Sequence, residues 1–325
     1  MTRPRHAETR SRHPEPVEGP HAVGRFPSDA LLAWYARHGR THLPWRRTRD
    51  PYRIVVSESM LQQTQVERVI PLYEAFLERF PTFEALAAAD AGDVVRAWRG
   101  LGYNSRAVRL HALARAVAER HGGTLPRETE ALRALPGIGA YTASAVRAFA
   151  FELDDAAVDV NLRRVIHRVV YGLEHPPLAD ARTLDTLAIA AVPRGAAHDW
   201  NSAMMDLGAT MCTARATKCL VCPLREACAA APVDAAQLAA RMRAHAPKRA
   251  PQNAIPFERT TRFLRGRIID RLRDVPPRES LALDALARDL ASIVPPDRLQ
   301  EIPQTIDALV RDGVVLKDNE TVRLA

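Results

Sequence analysis

Four cysteines, Cys212, Cys219, Cys222 and Cys228, lie within one short segment with the spacing C-x6-C-x2-C-x5-C, and the chain has no others. Scattered cysteines would read as core residues, and a secreted chain would suggest disulfides. Four thiols crowded into a helix-poor stretch suggest a metal site instead. Tetrahedral zinc and a [4Fe–4S] cluster each take four thiolates. Zinc sites more often show two tight pairs and this spacing has one, which favours iron–sulfur and leaves zinc open.

Two carboxylates stand out for a different reason. In SESMLQQTQVERV (57–69), Glu58 lies on a helix-prone stretch with Ile54, Val55, Val56, Met60 and Leu61 around it. A covered carboxylate needs a partner or costs stability. Either a local arginine satisfies it or its polarity has a use. In VDVNLRRV (158–165), Asp159 sits between two valines just before a helix, where the bland reading is an N-cap. Between them, LPGIGAYTASAV (135–146) is a tight glycine turn opening a helix. Gly137 and Gly139 would let backbone amides approach an anion at a helix N-terminus; an ordinary helix–helix turn would use the same residues.

These residues are carried on helices with legible punctuation. Asp50-Pro51 reads as an N-cap and first-turn proline, opening a helix to about Leu61. Thr64 to Glu67 matches a capping box, so a second helix is expected from there to Phe80. Gln62 and Gln63 then fall in the joint, free to point outward. Further helices are expected at 28–38, 82–89, 91–98, 105–121, 128–134, 140–150, 161–171, 181–191 and 199–211. Residues 1–26 are polar and read as a disordered tail, and 231–256, ending in a Pro-rich polar stretch, as a linker. Residues 257–325 hold three helical patterns and two short strands about Asp318-Asn319. That pattern suits a winged helix or a generic helical appendage.

Composition bounds the partners. The net charge is +8 and the pI about 9.8, which suits an acidic partner such as nucleic acid. The positive charge is almost all arginine, since only Lys218, Lys248 and Lys317 are lysine. No apolar run approaches the ~18 residues of a membrane span, and no signal peptide core is present, so a cytoplasmic chain is expected.

Taken in order, PWR (44–46), SESMLQQTQV (57–66), GLGYNSRA (100–107), LPGIGAYT (135–142), VDVNLRRV (158–165), NSAMMDLGATMC (201–212) and the four cysteines resemble the helix-hairpin-helix DNA glycosylases with an iron–sulfur cluster. Within that superfamily the chain most resembles the A/G-specific adenine glycosylases, the MutY family. The resemblance covers about residues 28–230 and decides the cysteine question for [4Fe–4S]. It implies an all-α fold, with a six-helix barrel over 52–155 and a cluster domain from 27–51 and 156–230. Residues 257–325 are read, on their own pattern, as a winged-helix-like domain. The implied partner is double-stranded DNA carrying A:G or A:8-oxoguanine mispairs, bound by a monomer, with the adenine flipped from the stack.

The resemblance also assigns roles. Glu58 matches the acid that protonates adenine N7 and later helps activate water, and Asp159 the carboxylate that stabilises the cationic sugar. Tyr141 and Asn161 match residues that position them. Gln63 and Thr64, with Gln62 beside them, match positions entering the duplex near the opposite base, and Tyr103 matches a ring wedged into the stack. Trp45, Arg46 and Leu61 match the base pocket. The chain departs from the family pattern at Val160, where Gly is common, and at Asn104, where a second Tyr is common. The roughly 95 residues after Cys228 are too few for the Nudix-like domain that many members carry, so strong 8-oxoguanine preference is not implied. Three alternatives remain: a thymine glycosylase for T:G mispairs, an endonuclease III-like lyase, and a non-catalytic iron–sulfur DNA-binding regulator. A lyase would need a lysine where this chain has Tyr141.

Overall fold

The computed structural model describes residues 26–175, 177–231, 234–245 and 255–325. The helices in chain order are α1 (Ser28–His38), α2 (Pro51–Leu61), α3 (Val66–Arg79), α4 (Phe83–Ala88), α5 (Ala91–Ala97), α6 (Ser105–His121), α7 (Thr129–Arg133) and α8 (Ala140–Phe149). They continue with α9 (Val160–Val170), α10 (Ala181–Ala191), α11 (Ala197–Thr210), α12 (Ala235–His245), α13 (Thr261–Arg273), α14 (Leu283–Leu290) and α15 (Ile302–Arg311). Strands β1 (Leu281–Ala282), β2 (Val315–Asp318) and β3 (Thr321–Leu324) form one small antiparallel sheet in the order β1-β3-β2. Among the described residues the chain is therefore mostly helical, with strands confined to its C-terminal part.

Local chemistry sets most helix ends. Asp50 caps α2 by accepting the Tyr52 amide at 2.9 Å, with Pro51 in the first turn. Gly122, at φ 57°, ends α6 in the left-handed conformation that glycine adopts cheaply. The expected capping box at Thr64 does not form. Helix α3 starts at Val66, and the Thr64 hydroxyl instead accepts from Arg106 Nη2 at 3.1 Å. A tertiary partner has outcompeted the local cap. Within 231–256, Ala235–His245 is helical, while 232–233 and 246–254 lie outside the described residues, as does the N-terminal tail to residue 25.

Two hydrophobic cores result. The first gathers α2 to α8 around Val55, Met60, Tyr73, Phe76, Trp98 and Val146, with Phe76 edge-on to Trp98 at 5.7 Å. The second joins α1 to α9, α10 and α11 through Leu31, Trp34, Leu162, Ile166 and Trp200. Each large side chain so buried contributes about 2 kcal/mol. Met205 packs against both cores, which meet along α11.

The C-terminal part has the helix–strand–helix–helix–hairpin order of a winged helix. It packs against the first core. Leu264, Ile268, Leu309 and Val322 belong to the same hydrophobic core as Phe76 and Trp98. Arg273 donates to the Val95 carbonyl at 3.1 and 3.0 Å, and Arg96 donates to the Val275 carbonyl at 3.1 Å. A Cβ on Gly92 would lie 2.8 Å from the Ala325 carbonyl oxygen, so glycine permits α5 to approach β3 this closely.

Candidate active site

Glu58 faces the seam between the cores from the C-terminal half of α2, and only 8% of it is exposed. Its cavity is also lined by Trp45, Arg46, Leu61, Phe149 and Met205. Burial raises the Glu58 carboxyl from the usual 4.5 to about 7. The Tyr141 hydroxyl and the Arg46 guanidinium pull it down, and the Asp159 carboxylate pushes it up. A carboxyl poised near neutrality can give up a proton and take one back. Tyr141, at the start of α8, keeps its own proton, because burial and both carboxylates oppose a phenolate.

Arg46 is held by more than charge. It donates to the Ser202 hydroxyl, lies 3.9 Å from Asp206, and stacks 5.3 Å over Phe149. Asp206 is itself pinned by the Arg40 backbone amide at 2.8 Å and its guanidinium at 2.9 and 2.7 Å. The pocket wall is thus cross-linked to α11. Trp45 is fixed edge-on to Tyr73 at 5.6 Å.

Asp159 caps α9 and approaches Glu58 from the second core. Its Oδ1 accepts the Asn161 and Leu162 amides, each at 2.8 Å, and its Oδ2 accepts Asn161 Nδ2 at 2.7 Å. The N-cap reading and a functional one are therefore compatible, since the cap holds the carboxylate fixed where its charge still acts on Glu58. Asn161 Oδ1 accepts from Arg164 at 3.0 Å, and Arg164 reaches the Gly208 and Cys212 carbonyls at 2.8 and 2.9 Å. This chain ties Asp159 to the cysteine loop. Asn201, fully buried in α11, holds the preceding strand of chain through the Ala157 amide at 2.7 Å.

Two loop tips carry the candidate DNA contacts. Gln63 has φ 55° and Tyr103 φ 46°, left-handed conformations that cost a side-chain-bearing residue about 1–2 kcal/mol. Gln62 and Gln63 are exposed and Tyr103 is 42% exposed. Both tips converge on Arg106, which is 6% exposed. Its guanidinium donates to the Ser59, Met60 and Gln62 carbonyls at 2.8, 2.9 and 2.6 Å, and to Leu101 and Gly102 at 3.0 and 3.2 Å. One buried side chain therefore fixes both loops. Gly137, at φ 79°, shapes the turn before α8, and Gly139 is the N-cap with open space around it.

All four cysteines line a separate apolar cavity with Val165, Leu207 and Leu224. Arg168 donates to Cys212 Sγ at 3.4 Å and is neutralised by Glu174 at 2.6 Å. Burial pushes the Cys228 thiol up to about 11, with the other three thiols adding to the effect. Among the described residues, no three His, Cys, Asp or Glu side chains close tightly on a single ion.

The residues reasoning from sequence missed are Arg106, Arg164 and Asn201. Each lies inside or beside a quoted motif, but its role is a long-range contact that spacing does not show. The two departures are also placed. Val160 opens α9 with 72% of its surface exposed, and Asn104 accepts from Arg273 at 2.6 Å.

The model of the HhH-GPD superfamily of base excision DNA repair proteins matches residues 56–180. An adenine DNA glycosylase of Mycolicibacterium smegmatis is 41% identical over 287 residues, 88% of this chain and 91% of that protein. The chain belongs to the adenine DNA glycosylase family. A match of that length cannot end before residue 257, so the family likeness includes part of the C-terminal module. A thermostable thymine-DNA glycosylase structure aligns with TM-score 0.58 and 34% identity, covering 62% of this chain and 94% of that one. A non-covalent endonuclease III–DNA complex aligns with TM-score 0.55 at 21% identity, covering 67% and 96%, a likeness of fold alone.

Proposed function

We propose that this chain is a monofunctional glycosylase that removes adenine mispaired with guanine or 8-oxoguanine from duplex DNA. The observation that carries the reading is the buried Glu58 carboxyl, raised to about 7, in a cavity shared with Trp45, Arg46 and Leu61. Glu58 gives its proton to adenine N7. The C1′–N9 bond breaks, its electrons leave with the base, and the adjacent Asp159 carboxylate stabilises the cationic sugar. Water then adds to C1′ and returns a proton to Glu58. Tyr141 hydrogen-bonds Glu58 and Asn161 holds Asp159, which fixes the two carboxylates in place. Gln62, Gln63, Thr64 and Tyr103 enter the duplex, and Gly137 and Gly139 meet a phosphate.

The four thiols fit a [4Fe–4S] cluster as a donor set, since they line one apolar cavity beside the Arg168 guanidinium. When bound, the cluster would supply a rigid cross-link of the 212–228 loop. Arg164 would pass that rigidity to Asn161 and Asp159. The reading is of a cytoplasmic monomer; among the described residues no helix is long and apolar enough to cross a membrane.

The test is purified protein incubated with duplexes carrying A opposite 8-oxoguanine, G or C, and T opposite G. Adenine release from the first two is expected. Thymine release alone would replace this reading with the T:G one, which the thymine-DNA glycosylase likeness keeps in view. No base release at all would favour a non-catalytic DNA-binding role.

A further inference from the structure

The C-terminal module touches the proposed wedge. Arg262, in the first turn of α13, places its guanidinium 4.5 Å over the Tyr103 ring. Arg273, at the other end of the same helix, holds Asn104 at 2.6 Å and the Val95 carbonyl. The residue after the wedge is thus fastened to this module, and the departure at Asn104 has a structural use: it receives Arg273.

The arginines of α13 separate Arg262 from the rest. Arg265 pairs with Asp312, Arg267 and Arg273 pair with Asp270, and Arg271 pairs with Asp289. Among the described residues Arg262 has no carboxylate partner, and it is exposed. It also sits at a helix N-terminus, where a cation is disfavoured by up to about 1 kcal/mol. An uncompensated guanidinium in that position suits an anion supplied from outside. The ring beneath it is the element that would enter a base stack, so the nearest anion would be the backbone phosphate beside the inserted step.

We propose that the C-terminal module belongs to the DNA-reading surface. Arg262 orients Tyr103 by stacking on its ring and meets a backbone phosphate next to it. This rests on the reading of Tyr103 as a wedge, and it makes Arg262 a positioning residue outside the pocket.

The experiment measures binding of the full chain to a short undamaged duplex over a range of salt, for wild type, Arg262→Ala, Arg262→Lys, Tyr103→Ala and the double variant Arg262→Ala/Tyr103→Ala. Arg262→Ala should weaken binding about fivefold through the lost stacking. It should also flatten the slope of log affinity against log salt by about 0.9, one phosphate contact. Arg262→Lys should keep the slope and lose the affinity, because an ammonium preserves charge without the planar stack. In the double variant the two losses should fall short of multiplying, as expected for touching groups. An unchanged slope in Arg262→Ala, or effects that simply multiply with Tyr103→Ala, overturns the proposal. Binding to undamaged duplex requires no excision, so failure of the adenine reading would leave this test standing.

Discussion

Replacing Glu58 by Gln removes one proton and one titration while keeping the shape. In the folded chain the carboxyl ionises at about 7, against the 4.5 of an unburied glutamate. Between those values the folded state holds a proton that the unfolded state has released, so wild-type stability falls as pH rises through that window. The fall amounts to about 3 kcal/mol and is complete above the folded value. Glutamine does not titrate. Urea unfolding of both proteins at pH 4, 5, 6, 7 and 8 should therefore show Glu58→Gln gaining on wild type by about 3 kcal/mol from the lowest pH to the highest. Single-turnover adenine excision should fall by about three orders of magnitude or more, because proton delivery and water activation both fail. Mismatch binding should survive. Wild-type excision should itself decline above pH 7, as the acid form is titrated away. A stability difference that does not change with pH would show that the burial argument for Glu58 is wrong. Excision within tenfold of wild type would remove Glu58 from the mechanism.

Other outcomes follow from the same geometry. Purified protein should be brown, with broad absorbance from four iron atoms per chain; one zinc and no iron on metal analysis would refute the cluster. Gly208→Ala places a Cβ 3.0 Å from that of Asn161, so it should cost about 1–3 kcal/mol in urea unfolding and slow excision by displacing the partner of Asp159. Unaltered excision would mean Asn161 does not position that carboxylate. Strand cleavage should need added alkali: Lys218 is exposed beside the cysteines, Lys317 is paired with Asp307 at 3.0 Å, Lys248 lies outside the described residues, and on the proposed reading Tyr141 stands where a lyase would have its lysine. Borohydride trapping of a stoichiometric protein–DNA adduct, at the rate of base release, would overturn it.

What the sequence made legible and what it hid divide by range. Asp50-Pro51 and Gly122 mark helix ends through neighbours a few residues away, so α2 and α6 could be placed from the letters alone. Glu58 could be singled out because a carboxylate among Ile54, Val55 and Met60 conflicts with its surroundings. Thr64 shows the limit. Its local pattern favours a cap, yet the structure gives its hydroxyl to Arg106, forty-two residues on. Nothing in the spacing distinguishes Arg106 from the many other arginines, because its function is a fan of carbonyls from the end of α2 and from two loops that meet only in the fold. Asn161 and Arg164 are similar: the motif places them near Asp159, but their link to Cys212 depends on α9 packing against α11.

The arginine-rich composition illustrates the same point for charge. A net charge of +8 suggests an acidic partner without saying where it binds. Many of the guanidinium groups that could serve are already committed. Arg40 holds Asp206, Arg163 holds Asp185, Arg168 holds Glu174, and four of the five arginines on α13 hold aspartates. The exposed pairs stabilise by less than about 1 kcal/mol each, while Arg40–Asp206 and Arg168–Glu174 are largely buried; all of them remove those cations from the list of ready phosphate ligands. The charge that remains for DNA is what these pairings leave over, and its location is a property of the fold. Arg262, left without a carboxylate beside Tyr103, is where that remainder meets the proposed wedge.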